Sequence, residues 1–192
     1  MAMLTRRGAS ADHPDSKVRE RHIRRTYATV RDDFVPDGQH WLRDDQKIKR
    51  LIQYLRDPSA AVATVAWATL INLHSVTAFD HRTEVCAEAL AISKDETASL
   101  EQRMSGIALL IAFGDPAAAP QIRSALEGID ELTVNDDEVV NALERVFNAV
   151  EMAPRAVYAP ILQGFVAKWV GVGWIEDAPF HDTIDACLDA GG

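Results

Sequence analysis

His74 and His81 stand seven residues apart, with Asp80 and Glu84 beside them. Imidazole and carboxylate groups at that range are the ligand types of a zinc or other transition-metal centre. Such a centre needs three or four converging ligands. Neither HExxH nor any other close ligand pair occurs among His13, His22, His40, His74, His81 and His181. The pair falls near the end of one expected helix and the start of the next, where capping at a solvated turn is the expected role. No metal and no cofactor is therefore assigned. The adjacent acids Asp44-Asp45, Asp136-Asp137-Glu138 and Glu176-Asp177 invite an acid–base reading. Catalytic carboxylate pairs need a shared cleft and unlike environments. At helix ends the same residues compensate the helix dipole, and that is the role expected here. Ser105-Gly106 lacks the GxSxG frame of a nucleophile elbow. Cys86 lies inside an apolar stripe and reads as a small buried hydrophobe. Neither a Walker A loop nor GxGxxG occurs, so no catalytic residue is assigned and a non-enzymatic chain is expected.

The residues best suited to recognition are cations. Arg19, Arg21, Arg24 and Arg25 cover the polar faces of a helix expected over 16–34, whose apolar stripe is Ile23, Tyr27, Val30 and Phe34. Arg31 extends the series, and Trp41 follows in a linker after the Pro36-Asp37-Gly38 break. These six, Arg19, Arg21, Arg24, Arg25, Arg31 and Trp41, are the candidate partner-binding residues. They could meet an acidic protein surface or a phosphate backbone. A purely solvated face, or a cap on the chain's own acidic body or a neighbouring copy, would use the same residues.

Charge supports the division. Residues 1–31 hold eight Lys/Arg against three Asp/Glu, whereas residues 57–192 hold seven against twenty-one. A basic segment, 1–43 with its linker, thus precedes an acidic body, 44–192. The net charge of −9 argues against general nucleic-acid binding, which would be confined to residues 1–31. Cys86 and Cys187 form no close pair, so a disulfide framework is not expected. The first residues contain no apolar stretch of signal-peptide length, and a cytoplasmic location is expected. Pro58–Phe79 is uncharged over 22 residues, long enough to span a bilayer. It is rich in alanine, carries Ser59, Asn72, His74 and Ser75, and has no flanking aromatic belt, so it reads as a core helix.

Helical periodicity recurs along the body. Ile48, Leu51, Ile52 and Leu55 mark a helix near 44–56, stopped by Asp57-Pro58. Others are expected over 59–74, 81–93 and 97–113, the last closed by Gly114. A short one opens at Pro120 and ends before Gly128. Asn135 and Glu138 resemble a capping box for a helix over 136–151. One from near Pro160 to Gly171 and one over 179–190, supported by Ile184 and Leu188, complete the series. Trp67 and Trp169 fall on the apolar stripes and read as core, while Trp174 falls in an irregular segment. No segment sustains the alternation of a strand, so the fold class is all-α.

Ala66-Leu70, Ala108-Ala112 and Leu143-Phe147 recur at offsets of roughly 35–42 residues, the period of two-helix repeats. The segment LIQYLRDPSAAVATVAWATLINL (51–73) resembles a HEAT repeat, with its D-P turn between two apolar helices. ALLIAFGDPAAAPQIRSALEG (108–128) is similar to the junction between HEAT-like repeats. The resemblance covers about residues 44–170 and implies a short, irregular α-solenoid of about four helical hairpins. It also implies a protein-binding adaptor, scaffold or subunit of a larger assembly. HEAT-like relatives include phycobilin lyases and alkylpurine DNA glycosylases, the enzymatic and DNA-repair alternatives. The acidic body lacks the basic face a glycosylase needs, and no lyase residue set is present. Many HEAT repeats carry Arg after the valine of the second helix, but here Ala63 follows Val62. Packing, in place of an ion-pair ladder, is then expected to hold successive hairpins together.

Overall fold

Asp44 shows how this chain begins a helix. Its backbone is extended, and its carboxylate accepts a hydrogen bond from the Lys47 amide, filling one of the open donors of the first turn. That bond, above all, holds the Asp44 carboxyl below the usual carboxylate range. The computed structural model describes residues 12–27, 44–74, 79–131, 133–176 and 178–191. Among them every regular element is helical. In order these are α1 (Ser16–Tyr27), α2 (Asp45–Gln53), α3 (Ala60–Ile71), α4 (Arg82–Ser93), α5 (Leu100–Ala112), α6 (Ala118–Glu127), α7 (Asp137–Met152), α8 (Ala159–Lys168), α9 (Gly173–Glu176) and α10 (Ala178–Asp189). No helix among the described residues is long and apolar enough to cross a membrane. The chain divides into two compact units, Met1–His81 and Arg82–Gly192. The boundary expected after residue 43 falls at the edge of the stretch 28–43, outside the described residues.

In the first unit α1 packs on α3, and α2 runs through a 3-10 turn, Tyr54–Arg56, into the Asp57-Pro58 break. Ile23 and Tyr27 are the buried face of α1. Val30 and Phe34, the rest of that expected stripe, lie outside the described residues. Tyr27 donates its hydroxyl to the Lys47 carbonyl at 2.8 Å, so its polar end is satisfied inside the core. Burial pushes its phenol pKa up. In α3 the small residues Ala63 and Ala66 are buried beside Val62, Leu70 and Ile71. Trp67, by contrast, is half-buried. Its removal should therefore cost less than the about 3–5 kcal/mol of a fully enclosed indole.

In the second unit α5 packs on α4, α6 and α7. Met104 and the run from Gly106 to Ala112 are all buried. Ser99 accepts from the Gln102 amide while the Gln102 side chain accepts from the Ser99 amide, a reciprocal capping box. The helix closes on Gly114 at φ 71°, where the Asp115 amide reaches the Leu110 carbonyl at 2.9 Å. The box expected at Asn135 and Glu138 does not form. Asp136 is the N-cap of α7, and its side chain makes no capping bond. Pro120 lies within the first turn of α6 and not at its first residue. In α10 Phe180, Ile184 and Cys187 are buried, whereas Leu188 is half exposed. Phe180 meets Phe147 of α7 edge-on, with centroids 4.2 Å apart, and this contact sets which side of α10 faces in.

Gly106 is where α5 touches the α4 backbone. A Cβ at this position would lie 2.6 Å from the Ala89 carbonyl oxygen and 3.2 Å from the Ser93 amide. Backbone cannot yield as a flexible side chain can, so a methyl group must push the helices apart. Gly106→Ala is expected to lose about 1–3 kcal/mol in urea denaturation, despite alanine's better helix propensity. An unchanged or raised midpoint would show that α4 and α5 do not need this approach.

Candidate functional site

The arginines of α1 divide into two groups. Arg19 turns inward, and both arms of its guanidinium meet Asp57, Nε to Oδ2 and Nη2 to Oδ1, each at 2.8 Å. Its Nη1 donates to the carbonyls of His13 and Pro14, at 2.6 and 3.0 Å. Asp57 Oδ1 also accepts from the Ser59 amide at 2.9 Å. The side chains are 13% and 7% exposed, so the planar fork and the carboxylate are matched largely out of water. The hydrogen bond to Asp57 leads the effects that raise the Arg19 pKa further above its usual value, against the opposing pull of burial. Arg19, one of the candidate partner-binding residues, is thus engaged within the fold by Asp57. Its neighbours face out. Arg21, Arg24 and Arg25 are exposed, and Arg24 bonds Glu20 one turn back at 2.9 Å. Lys17, also exposed, continues the cationic face. Arg31 and Trp41 lie outside the described residues.

The remaining candidates do not converge. His74 Nδ1 is 2.7 Å from the Ile71 carbonyl, a helix-end contact. His81 Nε2 is 3.2 Å from Asp45 Oδ1, with Phe79 beside the ring. Among the described residues no group of three or more His, Cys, Asp and Glu side chains could hold a metal ion. Asp44 caps α2, and Asp136, Asp137 and Glu138 lie at the start of α7. The side chains of Glu176 and Asp177 lie outside the described set.

Two polar arrangements escaped the sequence reading. Arg145 of α7 donates to Ser105 Oγ at 2.9 Å and to Glu101, both on α5. An ion pair therefore does join two packed helices of the body, contrary to the expectation of packing alone. It links α7 to α5 and does not use the position after Val62. The sequence signal was a single arginine set between Leu143 and Val146 in an otherwise acidic helix. Glu138 and Glu144 flank the same pair and make its surroundings acidic. The other arrangement is Cys86, half-buried and not enclosed, which donates to Asp115. Burial first, then the Asp115 charge and hydrogen bond, pushes the Cys86 thiol up to about 11, against the pull of Arg82. Such a thiol is a poor nucleophile at neutral pH.

Two outcomes test this geometry. Arg19→Met and Asp57→Asn should each lower the urea midpoint, and the double variant should lose clearly less than the sum, because either change alone strands the other group. Strict additivity would mean that the pair contributes no coupling. For Cys86 in a Cys187→Ala background, iodoacetamide labelling of the folded chain should rise with a midpoint near pH 11. A raised thiol pKa means the fold favours the neutral form. Stability should therefore fall as pH rises through the unfolded thiol's range toward 11. A labelling midpoint of about 8.5, the value for a free thiol, would contradict the burial and the Asp115 bond.

No family model, curated protein or solved structure matches this chain.

Proposed function

We propose that this chain is a HEAT-like helical-repeat interaction module, a short irregular α-solenoid that acts as an adaptor, scaffold or assembly subunit and performs no chemistry of its own. The observation that carries the reading is the division of labour on α1. Ile23 and Tyr27 are buried and Arg19 is clamped, while Lys17, Arg21 and Arg25 are exposed and have no ion-pair partner among the described residues. A helix anchored at three points along one face, with exposed cations on the other, is suited to an acidic protein surface, where complementarity governs encounter rate and register. The buried Ala66-Leu70, Ala108-Ala112 and Leu143-Phe147 pairs support the repeat reading. A reducing, cytoplasmic setting is supported by two cysteines that are both free thiols.

The test is native co-purification with mass spectrometry, run in parallel with the Arg21→Glu, Arg24→Glu, Arg25→Glu triple variant. The expected result is a protein partner retained by the native chain and lost from the triple variant, with the helical circular-dichroism signal unchanged. Loss should also follow from salt, since exposed charges are screened within about 10 Å at 0.1 M. Salt-dependent binding of duplex DNA or RNA, abolished by the same reversal, would transfer the face to nucleic acid. Turnover of a small molecule by a partner-free monomer would overturn the reading and favour a HEAT-like enzyme.

A further inference from the structure

The outward face of α7 is opposite in charge to the outward face of α1. Asp137, Asn141, Glu144, Asn148 and Glu151 follow one another at steps of three and four residues, so they form one stripe along the helix. All five are exposed, as is Glu138 beside them. Asp137, Glu138, Glu144 and Glu151 have no ion-pair partner among the described residues. Arg145, the single cation in the α7 sequence, is engaged by Ser105 and Glu101. Glu138, Asn141, Glu144 and Asn148 border a hollow of about 340 Å3 beside that pair.

Lys17, Arg21 and Arg25 of α1 recur every four residues and are exposed, with no ion-pair partner among the described residues. At about 1.5 Å per residue they span about 12 Å, and Asp137 to Glu151 span about 21 Å, so the acidic stripe is long enough to face all three cations. Each stripe is fixed from behind. Ile23 and Tyr27 bury the inner side of α1, while Val139, Leu143, Val146 and Val150 bury that of α7. Neither helix must order itself on contact, which lowers the entropic cost of association. Both faces belong to one sequence and both are exposed, so every further copy of the chain brings an acidic surface of the kind that suits α1. Copies of net charge −9 repel one another at a distance, but that repulsion is screened beyond about 8 Å at physiological salt, whereas contacts at hydrogen-bond range are screened less.

We propose that the partner of the α1 face is a second copy of this chain, which receives it on the α7 stripe. Lys17, Arg21 and Arg25 of one copy meet the α7 carboxylates of the next, and one cation enters the hollow beside Glu138 and Glu144. Asn141 and Asn148 supply amide hydrogen-bond partners between the charges. The inference rests on the α1 reading and names the partner of that same face. Because the contact joins unlike surfaces, two copies close it reciprocally or further copies extend it. Exposed ion pairs are individually weak, so the association is reversible and sensitive to salt.

The test is sedimentation velocity of the purified full chain over a concentration series. In ~0.1 M salt the mean mass should rise with concentration above that of the monomer, and in ~1 M salt it should return to it. The Arg21→Glu, Arg24→Glu, Arg25→Glu variant should associate at least ~tenfold more weakly, and so should Glu144→Lys with Glu151→Lys. An equimolar mixture of these two variants should associate again, since each carries the reversed face that the other's reversed face requires. Circular dichroism checks that each variant is folded. Should the α7 double variant fail to fold, Glu151→Lys alone takes its place, because a cation in the last turn suits the helix dipole. A chain that stays monomeric up to millimolar concentration, association that persists in ~1 M salt, or a mixture that does not recover would overturn the proposal. Undiminished association of the α1 variant would overturn it too. A monomeric chain that retains a different protein, lost from the α1 variant, would overturn self-association and leave the α1 reading in place.

Discussion

The bidentate pair between Arg19 and Asp57 governs what the first unit can present. Asp57 is the residue before a proline, and its extended backbone ends the α2 segment. Its carboxylate does three things at once. It accepts from the Ser59 amide where α3 begins, it grips Arg19 of α1, and through Arg19 it holds the carbonyls of His13 and Pro14. A turn that would otherwise only separate two helices becomes the anchor of a third. With Arg19 fixed, helical geometry fixes the bearing of Arg21 and Arg25 as well, and the outward cationic face follows from the inward one.

In the second unit α5 has a comparable place, reached by packing. Small residues let its neighbours come close: Gly106 toward α4, and Ala108 and Ala112 among the buried positions. Arg145 then adds direction that packing lacks, because a guanidinium shared between Ser105 and Glu101 allows one register of α7 along α5. Buried area alone would tolerate a slip of one turn.

Much of this was legible from periodicity. The stripes Val85-Ala89-Ile92, Met104-Ile107-Ile111 and Val139-Leu143-Val146 are all buried, as their spacing requires. The all-α class followed from the same signal. The ends and the pairings were less legible. Ser99 with Gln102 forms a box and Asn135 with Glu138 does not, since the α7 N-cap is Asp136, one residue later. Cys187 turns in where Leu188 was expected, because the Phe180 contact with Phe147 sets the rotation of α10. The candidate site was half legible. A run of arginines announces a basic face, but Arg19 leaves that face for a carboxylate thirty-eight residues away, which local spacing cannot specify.

Gly114 has a further consequence. Its φ of 71° suits glycine, and a Cβ there would also run into the guanidinium of Arg155. The backbone constraint therefore favours glycine strongly at this point, whereas the Arg155 guanidinium is the end of a flexible side chain that can move aside. Surface charges can drift and apolar core residues can exchange for one another more freely than this point can. In any chain built on the same packing, the glycine at the end of the α5 equivalent would be the fixed mark from which the register of everything else is counted.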